Sequence, residues 1–259
     1  MRVAKSLILG TVLVTSITAC TSKNPGQENA GKNELDSLQE YVAQRLPIYE
    51  KVRLSTDLNL LTANERQVLP LLIEAAQIMD ELFWKQAYPQ RDSLLATIKD
   101  EKTKEFVKIN YGPWDRLNGD KPFVAGIGEK PLGVTFYPLD MTKEELEKSD
   151  VKDKQGLYSV IRRESGKLVS IPYHIYFANE LQKASSLLKQ AALITDDAGL
   201  KKYLNLRADA LVSDNYTASD YAWLDMKTNG LDIIIGPIEN ESSHRGIDPK
   251  FNFDGIDDT

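Results

Sequence analysis

Histidine and cysteine side chains hold most zinc ions in proteins, so they are the first candidates for a metal site in this sequence. The sequence has two histidines, His174 and His244, and one cysteine, Cys20. Two histidines that bind one metal from a helix must lie about one turn apart, so that both project from the same face. These two lie far apart, and no Glu directly follows either of them. The residues predict no catalytic zinc site: His174 is interpreted as a capping or packing residue at a helix start, and His244 as a solvated residue in a polar tail.

The cysteine is placed for lipid attachment. Arg2 and Lys5 precede an apolar run, Leu7–Val14, and small residues then lead to Cys20. This pattern predicts a secretory signal peptide over residues 1–19, and the run is too short for a secure membrane span. The segment Ile17–Cys20 resembles the bacterial lipoprotein box, in which the cysteine becomes the first mature residue and carries the lipid. The alternative is an ordinary secreted protein whose cysteine falls there by chance.

A lipid on Cys20 would determine where the protein is located. Several acyl chains on Cys20 would hold the protein at a membrane surface without spanning it. Thr21 and Ser22 are not the Asp that would favour inner-membrane retention, so the sequence predicts lipid anchoring in the bacterial cell envelope, at the outer membrane rather than the inner one. Residues 20–33 are small, polar and rich in helix breakers, which predicts a flexible tether.

A long irregular stretch, residues 111–138, could bind a ligand. It contains Trp114 among several other aromatic residues, with Gly and Pro throughout and an Asn118-Gly119 turn signal. Long ordered loops are often functional. Gly126-Ile127-Gly128 is not a phosphate-binding loop, because no third Gly or P-loop Lys follows at the required spacing. Trp114 is therefore a candidate substrate-binding residue, although its aromatic neighbours could equally anchor the loop on the core.

The composition excludes one class of partner. The chain has 32 basic and 38 acidic residues among 259, and its pI is about 5.2. Nucleic-acid binding needs clustered Lys and Arg, which this balance does not provide. Hydrophobic residues make up 42% of the chain, enough for one large domain or two modest ones.

Helices must position most of these residues. A three-and-four spacing of apolar residues predicts a helix over 35–46. Capping-box patterns at Thr62 and Thr142 predict the starts of two more, and Pro70 predicts a break in the first of these. Further helices are predicted over 104–110, 174–193, from Asp197 to 211, and over 218–227.

Strands are few. Residues 158–163 and 167–173 flank Ser165-Gly166 and predict a hairpin. The short apolar run Leu231–Ile235 predicts another strand. The fold class predicted is α-rich α+β, a helical bundle-like lobe with a few short strands.

Several blocks of the sequence resemble one family. They are Leu71–Asp80, Asn110–Arg116, Phe136–Pro138 with Asp140–Thr142, Tyr203–Leu211, Ser219–Trp223 and Gly236–Glu239. In this order, between Leu61 and Asn240, they resemble the amino-terminal half of bacterial zinc metallopeptidases of the dipeptidyl-peptidase III family, often labelled zinc-dependent hydrolases. The resemblance implies the non-zinc lobe of a two-lobed peptidase with the substrate cleft between the lobes.

The resemblance also implies site residues. The family binds zinc through His-Glu-x-x-Gly-His and through a Glu of a later Glu-Glu-x-Arg-Ala motif. Neither motif occurs in this sequence. The resemblance therefore implies zinc in the full-length family and no cofactor in this chain. In the family, this lobe gives the cleft a Glu that holds the peptide's free amino group, then a small polar residue and a Tyr that polarises the scissile carbonyl. Glu239 and Asn240 match the first two positions, but Glu241 replaces the Tyr. Glu239 is a candidate for binding an ammonium group, or a solvated residue at a frayed strand end.

These observations favour one interpretation over two others. The first is an amino-terminal fragment of a lipoprotein zinc exopeptidase, with a peptidase-like lobe over 34–240, a disordered tail over 241–259 and no activity alone. The second is a non-catalytic lipoprotein that binds peptides through Glu239, Asn240 and Trp114. The third is an envelope protein without a ligand. The loss of resemblance near Asn240 fits either a frameshift or early stop, or an evolved shorter paralogue.

Overall fold

The structure is a computed structural model that describes residues 25–239 and 252–254. Its helices are α1 (Pro25–Arg45), α2 (Ala63–Ala87), α3 (Arg91–Thr97), α4 (Glu101–Asn110), α5 (Lys143–Lys148), α6 (Tyr173–Tyr176), α7 (Ala178–Ile194), α8 (Ala198–Leu211) and α9 (Thr217–Asp225). Its strands are β1 (Trp114–Asp115), β2 (Lys121–Pro122), β3 (Ser159–Glu164), β4 (Lys167–Pro172), β5 (Gly236–Glu239) and β6 (Asn252–Asp254). The strands pair as three antiparallel hairpins, which confirms the predicted α-rich α+β class.

Four helices pack in succession around the larger core: α2 on α7, α7 on α8, and α8 on α9. We call this core the helical cluster; its buried members include Met79, Leu82, Leu181, Leu188 and Leu204. The helices bury apolar side chains spaced three and four residues apart, which is the pattern of an amphipathic helix. This cluster carries the hairpin β3–β4 on one side and the segment that leads to β5 on another.

The helix starts predicted at Thr62, Thr142 and Asp197 are confirmed. Thr62 and Glu65 form a capping box, in which the Glu65 amide donates to Thr62 Oγ1 at 3.2 Å and the Thr62 amide donates to Glu65 Oε2 at 2.7 Å. Thr142 accepts from the Glu145 amide at the start of α5, and Asp197 accepts from the Leu200 amide at the start of α8. These caps satisfy amides that the first turn of a helix otherwise leaves without partners.

The break predicted at Pro70 is wrong. Helix α2 continues through this residue, which lies on its exposed face. Proline removes one amide donor from the helix, so the Arg66 carbonyl loses its partner four residues on. Val68, Leu72 and Ala75 are buried on the opposite face, and this packing outweighs the missing hydrogen bond.

A second core, which we call the N-terminal cluster, lies between α1, α4 and the loop after α4. Its buried residues are Val42, Trp84, Leu94, Ile98, Phe106, Val107 and Phe123. Asp115 fixes the loop to α1: its carboxylate accepts from Arg45 Nε at 2.7 Å and from the Tyr41 hydroxyl at 2.7 Å. The predicted irregular stretch is thus ordered by one buried carboxylate and its aromatic neighbours.

The hairpin β3–β4 forms where it was predicted, with Ser159 paired to Pro172 and Glu164 paired to Lys167. Ser165 and Gly166 both have positive φ, 49° and 79°, as a tight two-residue hairpin turn requires. The single helix predicted over 174–193 is two helices, since the backbone leaves helical geometry at Phe177 (φ −110°, ψ 29°).

Three predictions near the chain ends need correction. Helix α1 begins at Pro25, so residues 25–33 are helical and do not form the predicted tether. The prediction counted Pro25 as a helix breaker, but proline is favourable in the first turn of a helix. Leu231–Ile235 does not form the predicted strand; Ile233 and Ile235 are buried in the helical cluster. Residues 252–254 of the predicted disordered tail form β6, paired with β5. Cys20, Asn240, Glu241, His244 and the signal peptide lie outside the described residues.

Candidate functional site

A cavity of about 370 Å³ lies beside β5, immediately before Glu239. We call it the tyrosine cavity. Its walls are aromatic, apolar and charged side chains: Tyr158, Tyr203, Arg207, Tyr216, Asp220, Trp223, Leu224, Ile234, Pro237 and Ile238. This volume falls within the range of cavities that bind small molecules.

Two helices and one strand bring most of these residues together. Helix α8 supplies Tyr203 and Arg207, which lie four residues apart and so project from the same face. Asp220 and Trp223 come from α9, and β5 closes the cavity with Pro237 and Ile238. The site exists only because α8, α9 and β5 pack on the same core.

Gly236 has a backbone conformation that favours glycine. Its φ is +126°, which L residues rarely adopt, and a Cβ here would lie 3.4 Å from the Tyr216 ring and 3.5 Å from Arg207 Nη1. A side chain at this position would strain the backbone, while its Cβ would make ordinary van der Waals contacts with the cavity wall. Glycine is therefore the residue that this part of the site requires.

Arg207 is the charged group of the cavity. It is only 5% exposed, and its Nη2 donates to a carboxylate oxygen of Asp220. Its guanidinium carbon lies 5.4 Å from the ring centre of Tyr203 and 5.3 Å from that of Tyr216, within the range of cation–π attraction. One carboxylate and two aromatic faces thus hold the buried cation.

The buried Tyr216 hydroxyl has no hydrogen-bond partner among the described residues. Burial raises the pKa of Tyr216 well above its usual value. Burial also raises the pKa of Tyr203, and the charge of Arg207 together with hydrogen bonds from Arg207 and from the Ile235 backbone only partly offsets this. Both phenols therefore keep their protons at neutral pH. Buried polar atoms are nearly always paired, which makes the Tyr216 hydroxyl unusual.

His174 lies at the start of α6, as predicted, and binds Asp214. The Nδ1 atom of its ring is 2.7 Å from Asp214 Oδ2, and its backbone amide donates to Asp214 Oδ1 at 3.1 Å. Burial raises the pKa of Asp214, and the contacts with His174 only partly offset this. Neither residue has a third ligand-type neighbour: no group of three His, Cys, Asp or Glu side chains in the described part of the chain could hold a metal. The residues present do not fit the zinc ion that the family resemblance implies.

Trp114 lies in a different place from Glu239. Its side chain is 7% exposed, its Nε1 donates to the Gly128 carbonyl at 2.9 Å, and its ring packs edge-on against Tyr88 at 5.6 Å. It lines a cavity of about 420 Å³ that shares no lining residue with the tyrosine cavity. Glu239 ends β5. The structure thus does not bring Trp114 to the cavity beside β5.

Sequence reasoning missed Arg207 and its tyrosine neighbours. A signal was present: Tyr203 and Arg207 fall on the face of α8 that also carries Leu200, Leu204 and Leu211. A charged residue on the apolar face of a helix must find a partner or bind something.

Solved structures show what this chain is similar to. A solved structure of dipeptidyl-peptidase III from Caldithrix abyssi matches 83% of this chain with 37% sequence identity and a TM-score of 0.75. The dipeptidyl-peptidase III structure from Corallococcus sp. strain EGB matches 85% of it with 29% identity and a TM-score of 0.75. The chain is similar in fold and in sequence to part of dipeptidyl-peptidase III. In both comparisons it spans 42% of the solved chain.

Two further comparisons complete this result. Nudix hydrolase 3 of Arabidopsis thaliana is 29% identical over 76% of this chain, which spans only 33% of that protein. No family model matches the chain. The resemblance to dipeptidyl-peptidase III drawn from the sequence blocks is confirmed by fold and by identity together.

Proposed function

We propose that this chain acts as a peptide-binding lobe of a zinc-dependent hydrolase of the dipeptidyl-peptidase III type, and that these 259 residues do not hydrolyse peptides by themselves. The observation that carries the proposal is 37% identity to a dipeptidyl-peptidase III structure over 83% of the chain, at a TM-score of 0.75. At that identity the match supports a shared role in peptide binding as well as a shared fold, over the 42% of the solved chain that this chain spans.

Peptide binding is assigned to the end of β5. Glu239 lies there, and the family resemblance gives this position the role of holding a peptide's free amino group. A carboxylate that binds an ammonium group forms a charge-assisted hydrogen bond, which is stronger than a neutral one. The tyrosine cavity, whose wall includes Pro237 and Ile238, would give the peptide an apolar and aromatic surface beside this strand.

Hydrolysis is not assigned to this chain, because the residues do not supply a zinc site. A catalytic zinc ion needs three protein ligands in suitable geometry. His174 is already bound by Asp214 through both its ring and its amide, and His244 is far from it in sequence. A non-catalytic peptide-binding lipoprotein is the second candidate, which the aromatic and apolar walls of the tyrosine cavity favour.

The location proposed is the surface of a bacterial membrane, through lipid on Cys20. Support comes from the sequence: a basic start, a short apolar run and the lipoprotein-box residues before the cysteine. No helix in the described ranges is both long and apolar enough to cross a membrane.

One experiment tests both parts of the proposal. The purified chain is incubated with a dipeptidyl arylamide, with and without added Zn²⁺, and release of the arylamine is measured. In parallel, a tetrapeptide with a free amino terminus and its N-acetylated form are titrated by calorimetry. We expect no release under either condition, saturable binding of the free peptide, and weaker binding of the acetylated one.

Two variants make the assignment specific. Glu239→Gln should weaken binding of the free peptide about tenfold, since one charge-assisted hydrogen bond of about 1.5–3 kcal/mol is lost. Glu164→Gln, an exposed glutamate at the end of β3, is the matched control and should leave binding unchanged. Zinc-dependent release of arylamine would overturn the assignment of no activity, and failure of any peptide to bind would overturn the assignment of peptide binding.

A further inference from the structure

An exposed segment between α1 and α2 has the side-chain pattern of a β-strand without being paired to one. Residues 50–57 belong to no helix, strand or turn, and every one of them is exposed. Val52 and Leu54 alternate with polar residues along the segment. In an extended chain this period of two places the two apolar side chains on one face and the polar side chains on the other.

The backbone of this segment is available for pairing. The amides and carbonyls of residues 51–56 have no hydrogen-bond partner within the part of the chain that the structure describes. The residues beside them, Tyr49 (φ −91°, ψ 98°) and Asp57 (φ −84°, ψ 99°), have extended backbone. An exposed row of unpaired backbone groups is a template on which another chain can add a strand.

The apolar side chains of the segment are strongly exposed. Val52 is 72% exposed and Leu54 is 65% exposed. A single exposed leucine is ordinary on a protein surface, but two apolar side chains on one face of a segment with unpaired backbone mark an interaction surface. The segment contains no Pro, which would remove an amide from the pairing.

We propose that residues 51–57 pair with the same residues of a second copy of this chain, as an antiparallel β-ladder with Leu54 on the two-fold axis. This inference goes beyond the proposed function and does not depend on it. A contact that uses the same surface on both copies is the commonest arrangement in protein dimers. The ladder ends before Leu58, because Leu58–Leu60 form a short 3₁₀-helix.

The choice of a second copy rests on the charges and shapes of the segment, which are complementary to themselves in this register. When Leu54 lies opposite Leu54, Lys51 of each copy lies opposite Asp57 of the other. In the same register Val52 lies opposite Thr56, and both are β-branched. Opposite charges and well-packed side chains directly across an antiparallel pair stabilise it.

Both charged residues are accessible for this contact. The Lys51 side chain is 81% exposed, although it forms an ion pair with Glu105. Asp57 accepts from the Asn59 amide at 2.9 Å and has no basic partner among the described residues. A ladder of this length covers much less than the about 1,600 Å² of a standard interface, so we expect a weak dimer.

The first test measures the molar mass of the full chain by sedimentation equilibrium at concentrations up to about 1 mM, a range that reveals weak association. Leu54→Lys places two like charges against each other on the two-fold axis and should weaken the dimer about tenfold or more. Leu193→Lys, at an 83% exposed leucine of α7, is the matched control and should leave the dimer unchanged. Circular dichroism checks that both variants are folded.

The second test exchanges the charges. Lys51→Asp places two acidic side chains opposite each other at both ends of the ladder, and Asp57→Lys places two basic ones there. Each variant alone should dimerise about fivefold more weakly than the wild type, and an equimolar mixture of the two should recover the dimer. Recovery on mixing is the decisive result, because Asp57→Lys also removes the acceptor of the Asn59 amide.

Three results would overturn the proposal. A chain that stays monomeric over the whole concentration range would show that the segment does not bind a second copy, and a strand from a different polypeptide would then be its partner. A dimer that Leu54→Lys does not weaken would lie on another surface. A mixture of Lys51→Asp with Asp57→Lys that dimerises no better than either variant alone would exclude the antiparallel register.

Discussion

Two buried charged residues differ in how completely their charge is compensated. Asp115 is fully buried and accepts from Arg45, from Tyr41 and from the Leu117 amide. Among the described residues Arg207 has one carboxylate partner, Asp220, which is 53% exposed, and its guanidinium lies against the rings of Tyr203 and Tyr216. Asp115 is an anchor within the N-terminal cluster, whereas Arg207 lines the tyrosine cavity beside the helical cluster.

Asp115 leads to a prediction on pH dependence. Burial by itself would raise the pKa of this carboxyl, but the hydrogen bonds from Arg45 and Tyr41 together outweigh it and hold the pKa below its usual value. A carboxyl whose pKa is lowered on folding stabilises the fold above its unfolded pKa of about 3.9, and this contribution is lost as the pH falls through the folded pKa.

Asp115→Asn should therefore lower the free energy of unfolding at pH 7 by about 2–3 kcal/mol. Breaking a buried ion pair typically costs about 3–5 kcal/mol, and the cost here is smaller because Arg45 is partly exposed. The difference from the wild type should shrink as the pH falls below about 4. Urea unfolding at a series of pH values measures it. Asp92→Asn, which removes an exposed partner of Arg91, is the control and should change stability little. A destabilisation by Asp115→Asn that does not vary with pH would contradict the electrostatic explanation.

At the scale of elements, local signals in the sequence were reliable where a few adjacent residues determine the outcome. The caps at Thr62 and Thr142 and the Ser165-Gly166 turn act over three or four residues, and each of these two helix starts and the turn is present, although only Thr62 forms the full capping box. The strand predicted over Leu231–Ile235 is absent because a strand needs a partner, and the neighbour that pairs with β5 begins only at Asn252. The tyrosine cavity was not predictable either, because α8, α9 and β5 meet there only after packing. Of the cavity's features, the four-residue spacing that puts Tyr203 and Arg207 on one face of α8 is the one that neighbouring residues in the sequence determine.

Pro70 gives a prediction at the element scale. This residue interrupts the hydrogen-bond ladder of α2 and lies on its exposed face, so it contributes little to the core. Pro70→Ala restores an amide that can donate to the Arg66 carbonyl and removes the clash of the proline ring with the preceding turn. The free energy of unfolding should rise by about 1–3 kcal/mol, measured by urea unfolding followed at the helical band of the circular dichroism spectrum.

The control for this variant is Pro131→Ala, at an exposed loop proline outside any helix. It should be neutral or slightly destabilising, because alanine gives the unfolded chain more conformational freedom. Lower stability of Pro70→Ala would show instead that the proline shapes α2 for a contact that the straight helix cannot make.

At the scale of the whole molecule, α2 joins the two cores. Its middle turns place Met79 and Leu82 in the helical cluster, and the next turn places Trp84 in the N-terminal cluster. Neither cluster can lose its packing without freeing part of this helix. Most tertiary structure in the described residues therefore depends on a single element with apolar residues on both of its sides.

This arrangement predicts one cooperative unfolding transition. In Trp223→Phe the remaining tryptophans, Trp84 and Trp114, belong to the N-terminal cluster or pack beside it, so fluorescence reports that part of the molecule. Circular dichroism reports mainly the longer helices of the helical cluster. Because α2 couples the clusters, the two signals should change together in urea, with midpoints that agree within error, as two-state unfolding requires. A fluorescence transition at lower urea than the loss of helix would show that the N-terminal cluster unfolds on its own, and that α2 does not transmit stability between the cores.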